Sequence, residues 1–453
     1  MVLKTGGATD PAVPVRRTIP RAEHNVSRSQ ISENALKVLY RLKKAGYQSH
    51  LVGGGVRDLM LGREPKDFDI ATDAHPEDIR RLFRNCRLIG RRFRIAHVHF
   101  GPEIIEVTTF RGQAAGDEEE GDGLVRSDEG RLLRDNVFGT IEEDAWRRDF
   151  TVNALYYNIE DFSITDFVGG VADLEAGTLR LIGDPQLRYR EDPVRMLRAV
   201  RFAAKLGFRL EGQTERGVYD YGHLLADISP SRLFDESVKL FLSGHAVQSF
   251  ELMRHYGIFG HLYPDTEEAL AHEEHHFPLT LVLRAMENTD ARVAEGKPVT
   301  PAFLYAALLW EPVRRMAEEL LAENPDLSRL NALQAASARM VAQQAQRTAV
   351  PKRFSIPMRE IWTLQARLQH TSGKRPLRLL THPRFRAAYD FLLLRAEAGE
   401  EKQELAEWWT RFQLMESAEQ QRAAQAGAPA EGGRRRRPRR RRRSAASGSR
   451  SES

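Results

Sequence analysis

Cysteine is almost absent from this 453-residue chain: Cys86 is the only one. A disulfide framework needs pairs and a thiolate metal site needs several ligands, so both are excluded. No apolar run approaches the ~20 residues of a bilayer-spanning helix. The opening MVLKTGGATDPAVPVRR lacks the apolar core of a secretory signal, so a cytoplasmic protein is expected. Basic charge is also scarce outside one place. The formal net charge is +5, yet residues 434–453, RRRRPRRRRRSAASGSRSES, hold ten arginines and one acid. The rest of the chain carries 58 basic and 62 acidic side chains, a net of −4. Like charges repel and nothing apolar anchors that block, so it reads as a disordered tail. Its natural partners are polyanions: nucleic acid, anionic lipid or an acidic protein surface.

The length suggests two to four domains, and 41% hydrophobic residues suffice for sizeable cores. Residues 1–30 read as a flexible lead-in. ISENALKVLYRLKKAG (31–46) reads as an amphipathic helix stopped by Gly46. A strand at 47–54, a short helix at 56–62 and a strand DFDIAT follow. HPEDIRRLF (75–83) has Pro76 at the first helical position and acids in the first turn. RIAHVHF (94–100) and EIIEVTTF (103–110) predict a hairpin around Gly101 and Pro102. AAGDEEEGDGLVRSDEG (114–130) reads as an acidic surface insertion. Strands are expected at 150–158 and 163–170. From about 173 to 425 the pattern is helical, so a sheet-containing head followed by an all-helical body is expected.

The head carries the chemistry. In EPKDFDIAT (64–72), Asp67 and Asp69 point to one face of a strand and Phe68 to the other. Two neighbouring carboxylates repel unless a cation compensates. Before them, LVGGGVRD places Gly53, Gly54 and Gly55 between a strand and a helix, where backbone can approach phosphate closely, and Arg57 adds a cation. This is neither the P-loop nor the dinucleotide fingerprint. A glycine turn ahead of D-x-D suits two Mg²⁺ ions ~3.5–4 Å apart, bridged by a nucleoside triphosphate. Glu106 and Asp149 are both candidates for a third carboxylate. Arg147 and Arg148 could reach phosphates or a ribose. In REDPVRMLRAVRFAAKLGF (190–208), Asp192 reads as a helix N-cap, Pro193 as the first residue and Gly207 as the stop. Arg195, Arg198 and Arg201 recur every three residues on one surface.

These segments, LVGGGVRDLMLG…KDFDIAT, EVTTFRG, EEDAWRRDFTVNAL and REDPVRMLRAVRFAAKLGF, resemble in order the motifs of the class II nucleotidyltransferase family. That family contains the tRNA CCA-adding enzymes and the bacterial poly(A) polymerases. The match spans residues 47–208. IGRRFRIAHVHFG (89–101), the segments 31–46 and 382–397, and the arginine tail resemble the poly(A) polymerase branch. The resemblance implies an α+β chain: a mixed-sheet head, or palm, at 31–172, a helical neck at 173–272, a helical body at 273–430 and a disordered tail at 431–453. It implies Mg²⁺ on Asp67 and Asp69, with Asp149 as the third active-site acid in preference to Glu106. Gly54, Arg57 and Arg198 would serve the triphosphate and Arg148 the nucleotide. Glu191, Asp192 and Arg195 match an E-D-x-x-R element that reads the incoming base. The implied activity is template-independent addition of AMP from ATP to RNA 3′ ends, by a monomer with two Mg²⁺ ions. The tail could add contacts to RNA, to an RNA-decay protein or to anionic lipid.

CCA addition to tRNA is the alternative within the family, and a non-catalytic RNA-binding scaffold is the alternative outside it. The intact Asp67–Asp69 pair argues against the scaffold. HEEHH (272–276) fits the H-E-x-x-H zinc signature through His272, Glu273 and His276. Pro278 follows at once and no third ligand extends the motif, so a zinc site is not expected. Trp408 and Trp409 are expected to pack helices rather than stack bases.

Overall fold

The computed structural model describes residues 16–90, 94–112, 124–126, 132–135, 137–271 and 277–426. Most of the acidic stretch 114–130, residues 91–93, the His272–His276 motif and the arginine tail lie outside the described residues. The chain is α+β, as expected, and no helix among the described residues is long and apolar enough to cross a membrane.

Eight strands of the head form one mixed sheet. They are β1 (Arg17–Ile19), β2 (Ser49–Val52), β3 (Asp69–Thr72), β4 (Cys86–Ile89), β5 (Ile95–Phe100) and β6 (Glu103–Thr109), then β9 (Leu155–Asn158) and β10 (Ile164–Asp166) after a separate hairpin, β7 (Leu124–Arg126) and β8 (Leu132–Asp135). Their order is β1-β10-β9-β2-β3-β6-β5-β4, and β3 with β6 is the one parallel pair. The predicted 94–110 hairpin is present as β5–β6, turning at Gly101 with φ +62°. The predicted strand at 150–158 begins only at Leu155. Thr151–Asn153 forms a 3₁₀ turn because the Thr151 hydroxyl donates to Asp173 at 2.7 Å and its N–H donates to the Arg180 carbonyl.

One sheet face is apolar. Leu51, Ile70, Ile105, Val107 and Tyr157 pack against α1 (Glu33–Lys44), which is capped by the Ser32 hydroxyl, and α3 (Pro76–Leu82). The opposite face carries Asp69, Glu106, Tyr156 and His50 by strand alternation. α2 (Gly54–Met60) begins inside the glycine run, and α4 (Ile141–Arg147) packs on that second face through Ala145 beside Val52, Ala71 and Tyr156.

Beyond α5 (Gly170–Glu175) the described chain is helical apart from a two-stranded parallel pair, β11 (Thr178–Leu179) with β12 (Arg209–Leu210). α6 (Pro185–Glu191), α7 (Val194–Leu206), α8 (Gly212–Tyr221) and α9 (Pro230–Phe241) follow the head directly. A separate C-terminal core joins Leu364, Leu368, Leu379, Phe385, Trp409 and Phe412. Trp408 stacks on Phe412 with ring centroids 4.5 Å apart and Trp409 is fully buried, so both tryptophans pack helices.

Candidate active site

The glycine turn and the D-x-D segment are built against each other. Gly53 has φ +78° and ψ −140°, a conformation side-chain-bearing residues rarely adopt. A Cβ there would lie 3.5 Å from Asp69 Oδ2 and 3.8 Å from Arg148 Nη1. A Cβ on Gly55 would lie 3.4 Å from the Asp67 carbonyl oxygen. Phe68 is buried under the turn, Asp67 is exposed and Asp69 is half-buried, and β3 itself begins only at Asp69.

Asp69 sits directly opposite Glu106 in the parallel β3–β6 register. Burial pushes the Asp69 carboxyl up to about 6; Glu106 and Asp67 add to the rise and Arg148 opposes it. Glu106 Oε1 lies 3.3 Å from His97 Nε2, its cross-strand neighbour on β5. Asp69 and Glu106 therefore share one sheet face, with Asp67 close by in the segment just before β3 and Asp69 short of positive charge. Among the described residues no group of three or more His, Cys, Asp or Glu side chains is placed to hold a metal ion. The donor set still fits Mg²⁺, which takes one or two carboxylates and completes its shell with water and substrate phosphate.

Arg57 and Arg148 divide the work expected of both. Arg57 is 2% exposed. Its Nε and Nη2 reach Asp58 Oδ1 at 2.8 and 2.6 Å, and Nη1 donates to Asn153 Oδ1 at 2.5 Å. A Cβ on Gly54 would lie 3.3 Å from its Nη2. Arg57 thus braces the turn, with three of its five N–H donors engaged by Asp58 and Asn153. Arg148 is the cation at the acids. Its Nε donates to Tyr156 Oη at 2.9 Å, and Nε and Nη2 reach Asp144 Oδ2 at 3.1 and 2.9 Å. Tyr156 Oη donates to the same Asp144 oxygen at 2.6 Å, which leaves Arg148 Nη1 on the Gly53–Asp69 side. Burial alone would lower the Arg148 pKa, but Tyr156 and Asp144 outweigh it and keep the guanidinium charged.

Asp149, expected as the third acid, lies between the head and α7. Arg195 Nε approaches it at 3.0 Å and Arg198 Nε at 2.6 Å. Burial would raise its pKa, but these two arginines hold it well below the usual carboxylate range. Arg195 Nη1 also donates to Glu191 Oε2 at 2.6 Å and to the Arg188 carbonyl at 2.7 Å. Arg188 Nη2 reaches the carbonyls of Arg147 and Arg148 at 2.9 and 2.7 Å, fastening the neck to the head. Asp192 was expected to cap α7, but the helix starts at Val194 and the carboxylate takes Arg232 Nη2 at 2.7 Å. A charge-assisted bond is the stronger claim on that oxygen. Asp192 Oδ1 is buried with no hydrogen-bond partner. Arg201 stacks on Phe202 at 4.4 Å, a ring it shares with Arg57 and Arg198. Burial and the adjacent Arg198 push Arg201 down to about 10.

The sequence reading missed Asp144, Tyr156, Asn153, Phe202 and Arg232. Asp144 stands four residues before Arg148 on one helix, a spacing that brings opposite charges together, so it alone was findable.

Three family models match the chain: the Poly A polymerase head domain over residues 49–180, the probable RNA and SrmB-binding site of polymerase A over 207–270, and the polymerase A arginine-rich C-terminus over 325–444. Poly(A) polymerase I of Salmonella typhi is 50% identical over 411 residues, covering 90% of this chain and 88% of that protein. The Haemophilus influenzae enzyme of the same name is 45% identical over 90% of this chain and 91% of its own length. A CCA-adding enzyme of Lactobacillus helveticus is 38% identical over only 48% of this chain and 52% of its own. Among solved structures, the Bacillus stearothermophilus CCA-adding enzyme in complex with CTP matches with a TM-score of 0.55 and 26% identity, covering 83% of this chain and 80% of that one.

Proposed function

The chain belongs to the poly(A) polymerase family, and we infer from that membership and from its site that it extends RNA 3′ ends with AMP taken from ATP, without a template. The observation that carries the catalytic reading is that Asp69 and Glu106 share one sheet face against the glycine turn, with Asp67 just before the strand and Arg148 beside them. The CCA-adding relative shares about half of this chain, whereas the poly(A) polymerase relatives share nine-tenths of it.

Asp67 and Asp69 would hold Mg²⁺, with Glu106 as the third carboxylate of the site. Bound Mg²⁺ supplies the charge that activates the attacking 3′-hydroxyl and stabilises the leaving pyrophosphate. The protein does the rest. The Gly53–Gly55 turn admits the triphosphate against bare backbone, and Arg57 fixes that turn. Arg148 Nη1 faces the phosphates, oriented by Asp144 and Tyr156. Arg198 and Arg201, from α7, add positive charge on the neck side. This is positioning plus electrostatics, which phosphoryl transfer mainly requires.

The Watson–Crick edge of adenine offers one amino donor and one ring-nitrogen acceptor. Asp192 Oδ1, buried and without a partner, suits the donor. Arg195 suits the acceptor through the guanidinium nitrogen that Asp149, Glu191 and Arg188 do not take. Glu191 acts at one remove, by holding Arg195. Cytosine presents the same edge, while guanine and uracil present the reverse, so this pair rejects GTP and UTP.

The test is extension of a generic RNA with Mg²⁺ and each nucleoside triphosphate singly. Long ladders with ATP, and none with GTP or UTP, are expected. Products limited to C, C and A on tRNA would replace this reading with CCA addition, and bound but unextended RNA would favour a scaffold. Asp67→Ala and Asp69→Ala are expected to abolish extension without lowering the melting temperature.

A further inference from the structure

A cavity of about 450 Å³ opens on the C-terminal helices, among residues 328–330, the end of the helix Lys352–Leu368 and the helix Arg375–Leu380. Arg367, His370, Arg375, Arg378 and His382 line it, with Leu379 as apolar floor, and no acidic side chain lines it. Arg375 and Arg378 stand three residues apart and so share a helix face. Neighbouring arginines are neutralised: Arg384 pairs with Glu360 at 3.1 Å, Arg386 with Asp390 at 3.0 Å, and Arg395 with Glu401 at 3.3 Å. No such pair to a carboxylate engages Arg367, Arg375 or Arg378 among the described residues. The cavity wall is fixed by tertiary bonds: Gly373, in the turn between His370 and Arg375, donates to the Ala424 carbonyl at 2.8 Å. None of the lining residues belongs to the catalytic face or to α7.

Three uncompensated guanidinium groups around an apolar floor call for a ligand with both negative charge and a flat apolar body. A nucleotide has both, and arginine forks and imidazoles serve phosphate binding and base stacking alike. A concave site of this volume fits one nucleotide better than a bilayer surface. We propose that this cavity is a second RNA site, holding a nucleotide of the substrate strand upstream of its 3′ end. Phosphate lies against Arg367, Arg375 and Arg378, and the base lies over Leu379 beside His370. The proposal rests on the reading that the substrate is RNA. It adds to that reading an anchor on the body that makes longer RNA the better substrate.

Full-length protein carrying Arg367→Ala, Arg375→Ala and Arg378→Ala together tests it. The readouts are the salt dependence of single-stranded RNA binding and the ratio of KM for a short oligonucleotide to KM for a long RNA. Each phosphate that the protein no longer neutralises takes about 0.7 from the slope of log K against log salt, so the slope is expected to fall by about 2. The KM ratio is expected to be well above one for the unmodified protein and to fall toward one in the variant. Lysine at the same three positions keeps the point charges and is expected to restore the slope. An unchanged slope and an unchanged KM ratio in the alanine variant would overturn the proposal. So would loss of acidic-peptide binding with the RNA slope intact. If the unmodified protein extends no RNA at all, the polymerase reading falls, while the binding slope still judges the cavity.

Discussion

Asp69 and Glu106 stand opposite one another on adjacent parallel strands, and their mutual repulsion, added to burial, keeps the Asp69 carboxyl near 6. A cation between strand and substrate would relieve both. Glu106→Gln keeps the shape and removes the charge. Extension is expected to fall by more than the ~10–100-fold typical of losing an outer-shell partner of a metal. Rescue by raised Mg²⁺ should be partial. Activity near that of the unmodified protein would remove Glu106 from the site.

Asp149 predicts the opposite pattern. It neutralises two arginines that are 9% and 33% exposed, and its own carboxylate is held ionised by them. Asp149→Asn leaves those guanidinium groups without a shared anion, at a cost on the order of 3 kcal/mol. A lower Tm and a raised KM for ATP are expected together. Because the folded pKa is depressed, this contribution is present above the unfolded carboxylate pKa and lost as acid protonates the group. An unchanged Tm with extension abolished would return Asp149 to the role of third catalytic acid.

The contrast between these two acids shows what the sequence could and could not deliver. The 94–110 hairpin followed from its turn residues, a local rule, whereas the expected DFDIAT strand begins only at Asp69 and leaves Asp67 just outside it. Pairing of β3 with β6 is not local: thirty residues separate the strands, and only the sheet register puts Glu106 beside Asp69. Asp149 follows two arginines and precedes an apolar run, and local pattern says no more of it. Its actual partners, Arg195 and Arg198, lie more than forty residues away on α7. Arg57 was legible as a cation near the turn but not as one already partly engaged, since Asn153 arrives from a distant segment.

Tyr156 is a positioning residue with a measurable signature. Its hydroxyl bonds both Arg148 and Asp144 and is fully buried. Tyr156→Phe preserves the ring and removes both bonds to charged partners, each worth about 1.5–3 kcal/mol. KM for ATP is expected to rise roughly tenfold or more, with kcat reduced less, because Arg148 loses its orientation at the phosphates. A fall in Tm without any change in KM would make the hydroxyl purely structural.

His50 lies further along the same sheet face, its ring 6.1 Å from Phe110 and 6.3 Å from Tyr156, with Nδ1 buried and unpartnered. Burial pushes its pKa down to about 4, against the pull of Asp161 and Glu160. The imidazole is therefore neutral in the fold, while the unfolded chain takes up a proton near pH 6.5. Between those values the unfolded state binds more protons, so stability is complete above about pH 6.5 and declines as pH falls toward 4. The full loss is on the order of 3 kcal/mol. His24, His245 and His261 are also pushed down by burial, so a single pH–stability curve would not isolate His50. The comparison with His50→Phe does, because phenylalanine can face the same two rings without titrating. Thermal melts from pH 7 to pH 4.5 are expected to show a steeper loss for the unmodified protein than for the variant. Parallel curves would assign the acid sensitivity to the other histidines.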